Sequence, residues 1–152
     1  MPTEIAREAE LVAAERALAA GPTLLPTFRG PQMAEGFAAY RELQRSLDAG
    51  MPDQLINISG KMFRKKGYWR AIATAFNLSV SCLKEDADEE GWRVTYRATS
   101  ASGRFVDGDG ACTHAEKGER MDSEHNVRSH AHTRAFNRAV SNLVGFGEVS
   151  AE

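Results

Sequence analysis

"WRVTYRATS", residues 92–100, alternates without a break. Trp92, Val94, Tyr96 and Ala98 fall on one side, and Arg93, Thr95, Arg97 and Thr99 on the other. Successive side chains of a strand point to opposite faces, so this pattern predicts a strand with one face buried. Upstream, "LSVSCLK" (78–84) sets Leu78, Val80 and Cys82 against Ser79 and Ser81 in the same way. Between them lies "EDADEEG" (85–91). Its carboxylates repel one another unless solvated, which predicts an exposed hairpin tip and not a metal site. Downstream, "ASGR" (101–104) turns the chain, and residues 105–117 give a third strand. "DGDG" (107–110) interrupts it, and a turn or bulge is expected there. The result is a three-stranded antiparallel meander.

Helices flank the meander. "HTRAFNRAVSNLVGFG" (132–147) ends a long helix that starts from an N-cap near Asp122 or Ser123 and stops at Gly145 and Gly147. On a wheel of about 100° per residue, Phe136, Ala139, Val140, Leu143 and Val144 gather on one side, with Ala135 at its edge. His130, Arg134, Asn137, Arg138 and Ser141 gather on the other. Before the meander, "YWRAIATAF" (68–76) reads as a short helix. "QLINIS" (54–59) reads as a strand, and "MFRKKG" (62–67) as a returning strand or the approach to the helix. "MAEGFAAYRELQRSLD" (33–48) has Phe37, Tyr40, Leu43 and Leu47 at helical spacing. Residues 3–19 are rich in Ala, Glu and Leu and predict a further helix, and "GPTLLPTFRGP" (21–31) a linker or extended arm. The expected fold class is therefore α+β: a short hairpin and a three-stranded meander packed against a long C-terminal helix, with N-terminal helices. Residues 1–31 form the expected arm, and 32–152 the core domain.

The 152 residues suit one core, and 42% hydrophobic with 26% charged residues is a globular composition. No apolar run reaches membrane-span length and no signal-peptide pattern opens the chain, so a cytoplasmic location is expected. Cys82 and Cys112 both fall in strand patterns and are expected as buried free thiols.

The net charge of −2 hides a segregated distribution. Residues 1–54 carry eight acids and five bases, residues 55–84 six bases and no acid, and residues 85–90 five acids. Such segregation allows one strongly positive surface. In "KMFRKKGYWR" (61–70), Lys61, Arg64, Lys65, Lys66 and Arg70 interleave with Phe63, Tyr68 and Trp69. Bases over phosphates with rings under nucleobases are the chemistry of sequence-tolerant single-strand binding. Arg93 and Arg97 share one strand face. Arg134 and Arg138 stack one helical turn apart beside Asn137 and Ser141. Guanidinium forks with shorter amide and hydroxyl donors suit phosphate contacts, which would place the Arg134–Arg138 pair at the surface with little effect on stability.

"LINISGKMFRKKGYW" (55–69), then three strands, then "TRAFNRAVSNLVGFG" (133–147) resembles the core of the Rad-fifty-two superfamily of single-strand annealing proteins, including phage recombination relatives. The resemblance spans roughly residues 34–147. It implies homo-oligomeric rings or helical filaments. It also implies a basic groove for single-stranded DNA between meander and last helix, and strand annealing in recombination and repair without a nucleotide cofactor. Arg138 matches a basic groove position. Asn137 and Ser141 stand where bases are common in the family. DNA and RNA are not distinguished by these residues.

Other chemistry is weakly encoded. Histidines two apart in "HAH" (130–132) point about 200° from each other on a helix, so they do not chelate one ion. "DGDG" lacks the twelve-residue calcium loop. There is no phosphate-binding loop and no nucleophile elbow, so no catalytic residue, metal or cofactor is expected. The rival reading is a small enzyme or ligand-binding domain with a pocket between sheet and helix, using His114 or His132 as acid and base.

Overall fold

The computed structural model describes residues 6, 7, 9–12 and 29–145. The chain divides into two units, Met1–Gly36 and Phe37–Glu152. In the first, residues 6, 7 and 9–12 are helical and exposed. The remainder of the expected helix 3–19, most of the expected arm, and Gly147 lie outside the described residues. Helix α1, Gly30–Gly50, begins in the first unit, with Pro31 in its opening turn. The Arg29 amide donates to Oε1 of Gln32 at 2.9 Å, as in one half of a capping box.

The second unit is α+β, as the alternation and helical periods predict. A two-stranded hairpin, β1 (Leu55–Ile58) and β2 (Lys61–Arg64), leads into helix α2 (Lys66–Ala75). The antiparallel sheet β3 (Ser79–Ala87), β4 (Gly91–Thr99) and β5 (Phe105–Thr113) follows in the order β3-β4-β5. A single-turn helix α3 (His114–Lys117) and the long helix α4 (Glu124–Val144) complete it. The third strand, expected to reach residue 117, stops at Thr113. There Thr113 and Glu116 form a reciprocal capping box that starts α3. Ser123 caps α4 through its hydroxyl, and Gly145 ends it in the left-handed region at φ 75°.

Helix α4 packs on the faces of β4 and β5 through small residues. A Cβ on Gly108 would lie 2.2 Å from the Ala139 nitrogen, and one on Gly110 would lie 2.4 Å from the Ala131 carbonyl. The "DGDG" stretch is therefore neither turn nor bulge. It pairs in regular register with β4, and its glycines are where helix and strand backbones meet. The irregularity lies instead on β3, between Cys82 and Lys84. β3 also runs further than its alternation suggests, because Glu85, Asp86 and Ala87 pair with Val94, Arg93 and Trp92. A second cluster joins Tyr40 of α1, Tyr68, Trp69 and Ile72 of α2, and Phe136 and Val140 of α4. Cys112 is buried as expected, whereas Cys82 is exposed. Helix α4 lies across β4 and β5 and barely reaches β3, so the helix-side face of β3 is only partly covered.

Candidate nucleic-acid interface

The expected site residues fall into three groups. On the face of the sheet turned away from α4, the basic residues of β4 meet acids. Arg97 makes a two-pronged pair with Asp107 at 2.7 and 2.8 Å, and its guanidinium lies 4.1 Å from the Phe105 ring centre. That pairing holds the Asp107 carboxyl below its usual range. Arg93 pairs with Asp88 at 2.7 Å. Asp88 is held low chiefly by the amides of Glu90 and Gly91, and then by Arg93. Arg93 and Arg138 line one open concavity of about 340 Å³ with Lys84, Asp86, Thr95 and Asp109. Opposite charges alternate across this face, so it presents no continuous basic surface.

Arg134 and Arg138 occupy the edge of β5. Arg134 Nη1 donates to the Ala111 carbonyl at 2.6 Å and reaches Glu116 Oε2 at 3.1 Å. Arg138 Nη1 donates to the Asp109 carbonyl at 2.6 Å. Asn137, expected on the polar side with them, is fully buried, and its side-chain amide finds no hydrogen-bond partner among the described residues. The helix packs against α2 as well as against the sheet, so a two-sided wheel misplaces this residue. Asn137 is therefore closed to a strand lying on the surface.

The third group gathers around α2 and α4. Lys61 and Lys65 are exposed, and Lys65 Nζ donates to the Asp53 carbonyl at 2.9 Å. Arg64 lies over the Tyr68 ring at 5.0 Å and 3.9 Å from Asp48. Tyr68 and Trp69 are core residues at 0% exposure, so they are not platforms for bases. Lys66 lies 5.3 Å from the Phe136 ring centre. Burial, and then the nearby Arg70 charge, lower its pKa. Lys66 and Arg70 are one helical turn apart on α2.

From Phe136 the contacts continue along the partly covered side of β3. Tyr96 packs edge-on against Phe136 at 5.8 Å and against His132 at 5.7 Å, with its hydroxyl 3.0 Å from His132 Nδ1. His132 Nε2 lies 3.3 Å from Glu85 Oε1. Glu85 accepts from Nε of Arg128 and from its Nη2, the latter at 3.2 Å. The Arg128 guanidinium in turn lies 5.4 Å from the Trp92 ring centre. Lys66 and Arg128 thus each lie over a ring and His132 packs edge-on against Tyr96, with Arg70 one turn beyond Lys66 on α2. Burial raises the pKa of the Tyr96 hydroxyl, and Arg70 and Arg128 lie close enough to oppose that shift.

The sequence does not single out Arg128, His132 and Glu85 together. The helical wheel carries a usable signal for Arg128, since it shares the side of α4 that holds His132. Glu85 carries none, because strand alternation puts it on the opposite face. Among the described residues no cluster of His, Cys, Asp and Glu has the makings of a metal site, and no helix is long and apolar enough to cross a membrane. No protein-family model and no curated protein matches the chain.

Proposed function

We propose that this chain binds single-stranded DNA and promotes annealing, without enzymatic activity or a nucleotide cofactor, as a homo-oligomeric ring or filament of the Rad-fifty-two type that its sequence resembles. The observation that carries the reading is the track of Lys66, Arg70, His132 and Arg128 between α2, α4 and β3. Its Arg128 and His132 lie between meander and last helix, where the resemblance expects the groove, and Lys66 and Arg70 add the neighbouring α2. Lys61 and Lys65 extend the positive charge onto the neighbouring hairpin and helix start. The rings beneath the cations are largely covered, so they support guanidinium and ammonium groups and leave the bases of a bound strand free to pair. Two strands held this way lose part of their mutual repulsion, which is what annealing requires.

The test is anisotropy of a labelled oligo(dT) across a salt series, with light scattering on the same samples. Binding that weakens steeply with salt, together with a mass well above a dimer, is expected. A monomer that ignores the oligonucleotide at low salt overturns the reading.

A further inference from the structure

We infer that Arg128 and His132 form a seat for one phosphate group, and that the Glu85 carboxylate occupies it when no strand is bound. The inference rests on the annealing reading and adds the residues that close the track. A planar anion accepting from both Nε and Nη2 of one arginine, with an imidazole nitrogen 3.3 Å away, reproduces the way proteins grip a phosphate oxygen pair. The grip is set from behind. The Tyr96 hydroxyl meets the other imidazole nitrogen, and Trp92 lies beneath the guanidinium.

The strand is shaped to deliver this carboxylate. Cys82 pairs with Tyr96 on the helix side of the sheet. In unbroken alternation Lys84 would be the next residue but one on that side, with Glu85 facing away. The extra residue at Leu83 reverses the phase, so Lys84 pairs with Thr95 and Glu85 with Val94. The bulge thereby turns an acid toward the Arg128 guanidinium and the His132 imidazole and leaves the side chain of Glu85 27% exposed. The groups at the seat are Glu85 of β3, Tyr96 of β4, with Cys82 paired to it across the sheet, and Arg128 and His132 of α4. A phosphate entering the seat displaces Glu85, whose attachment to the β3 strand limits how far it withdraws. The acid therefore weakens binding.

The experiment compares wild type with Glu85→Gln and Arg128→Gln, each confirmed folded by circular dichroism. Labelled oligo(dT) and inorganic phosphate are titrated separately, following the Arg128 Nε–H signal by NMR. Glu85→Gln is expected to bind the oligonucleotide about fivefold more tightly at low salt, as the loss of one unit of like charge near a phosphate predicts. Arg128→Gln is expected to weaken binding. If wild type binds the strand but Glu85→Gln binds equally and the Arg128 signal stays still, the seat is overturned and the annealing reading survives. If no variant binds the strand yet inorganic phosphate moves the Arg128 signal, the seat stands for the free anion and the annealing reading falls. Movement with the oligonucleotide at concentrations where inorganic phosphate has no effect assigns the seat to the strand.

Discussion

Arg138 donates from Nη1 to the carbonyl oxygen of Asp109 at 2.6 Å, and one helical turn earlier Arg134 makes the same bond to Ala111. Both carbonyls lie on β5, which is an edge of the sheet. An exposed edge offers unpaired backbone groups to other chains, and proteins commonly blunt it with charge. The matched arginines of α4 therefore grip the protein's own backbone. The expectation of a free surface pair is corrected accordingly, since the Arg134 side chain is only 19% exposed. Replacing both with Ala is expected to destabilise the fold by about 1–3 kcal/mol, the usual scale for charged hydrogen bonds, and to promote self-association through β5. Denaturant melts with light scattering check this; unchanged stability would return the pair to the phosphate-contact role.

The glycines opposite that helix give a second test. Gly108→Ala and Gly110→Ala each drive a methyl group into the backbone of α4. Neither neighbour is a flexible side-chain tip, so the helix itself must shift, at a cost on the order of 3 kcal/mol. Ala139→Arg is expected to be worse, because Ala139 is fully buried. Thermal melts of the three variants should show Ala139→Arg as the least stable, with both glycine variants well below wild type.

How far the sequence reaches differs between backbone and site. Alternation in residues 92–100 and the apolar side of 132–144 are enough for the meander and the long helix, because each buries an apolar face whose period the sequence shows. Asn137 defeats the wheel because α4 is covered by more than the sheet. Glu85 defeats the alternation because a single inserted residue reverses every later side chain on the strand. The role of Arg97 needs the pairing register, and that of Arg134 the docking of α4 beside α3, since Asp107 and Glu116 are distant in sequence and adjacent in space.

Glu85 also sets a pH dependence. The Arg128 hydrogen bond, opposed by partial desolvation and reinforced by His132, holds its carboxyl at about 2 against an ordinary 4.5. A depressed folded-state pKa gives stability that is fully present above the ordinary value and is lost as pH falls toward the folded one. Stability contributed by this residue should therefore decline between about pH 4.5 and about pH 2. Glu85→Gln should flatten that part of the acid-unfolding curve relative to wild type. Identical curves would mean that the carboxylate is not held by Arg128 in solution.

The exposed lysines give the most direct test of phosphate binding. Lys61 and Lys65 lie outside the core, and Lys65 Nζ reaches the backbone carbonyl of Asp53. Lys61→Ala should leave stability within about 0.5 kcal/mol of wild type, and Lys65→Ala should cost about 1 kcal/mol at most, since the bond it loses is exposed. If both lysines meet phosphates, affinity for a single strand should fall alike for oligo(dT) and for mixed sequences, because phosphate contacts carry no base information. The log–log salt slope should flatten by roughly 0.7 for each phosphate that is no longer held. Arg70→Ala, on the track itself, should add a further step of the same size. A decline confined to one base composition would point to base recognition instead, and Tyr68 and Trp69 would have to leave the core to take part in it. Tyr68 and Trp69 are fully buried, so an equal decline across sequences is expected.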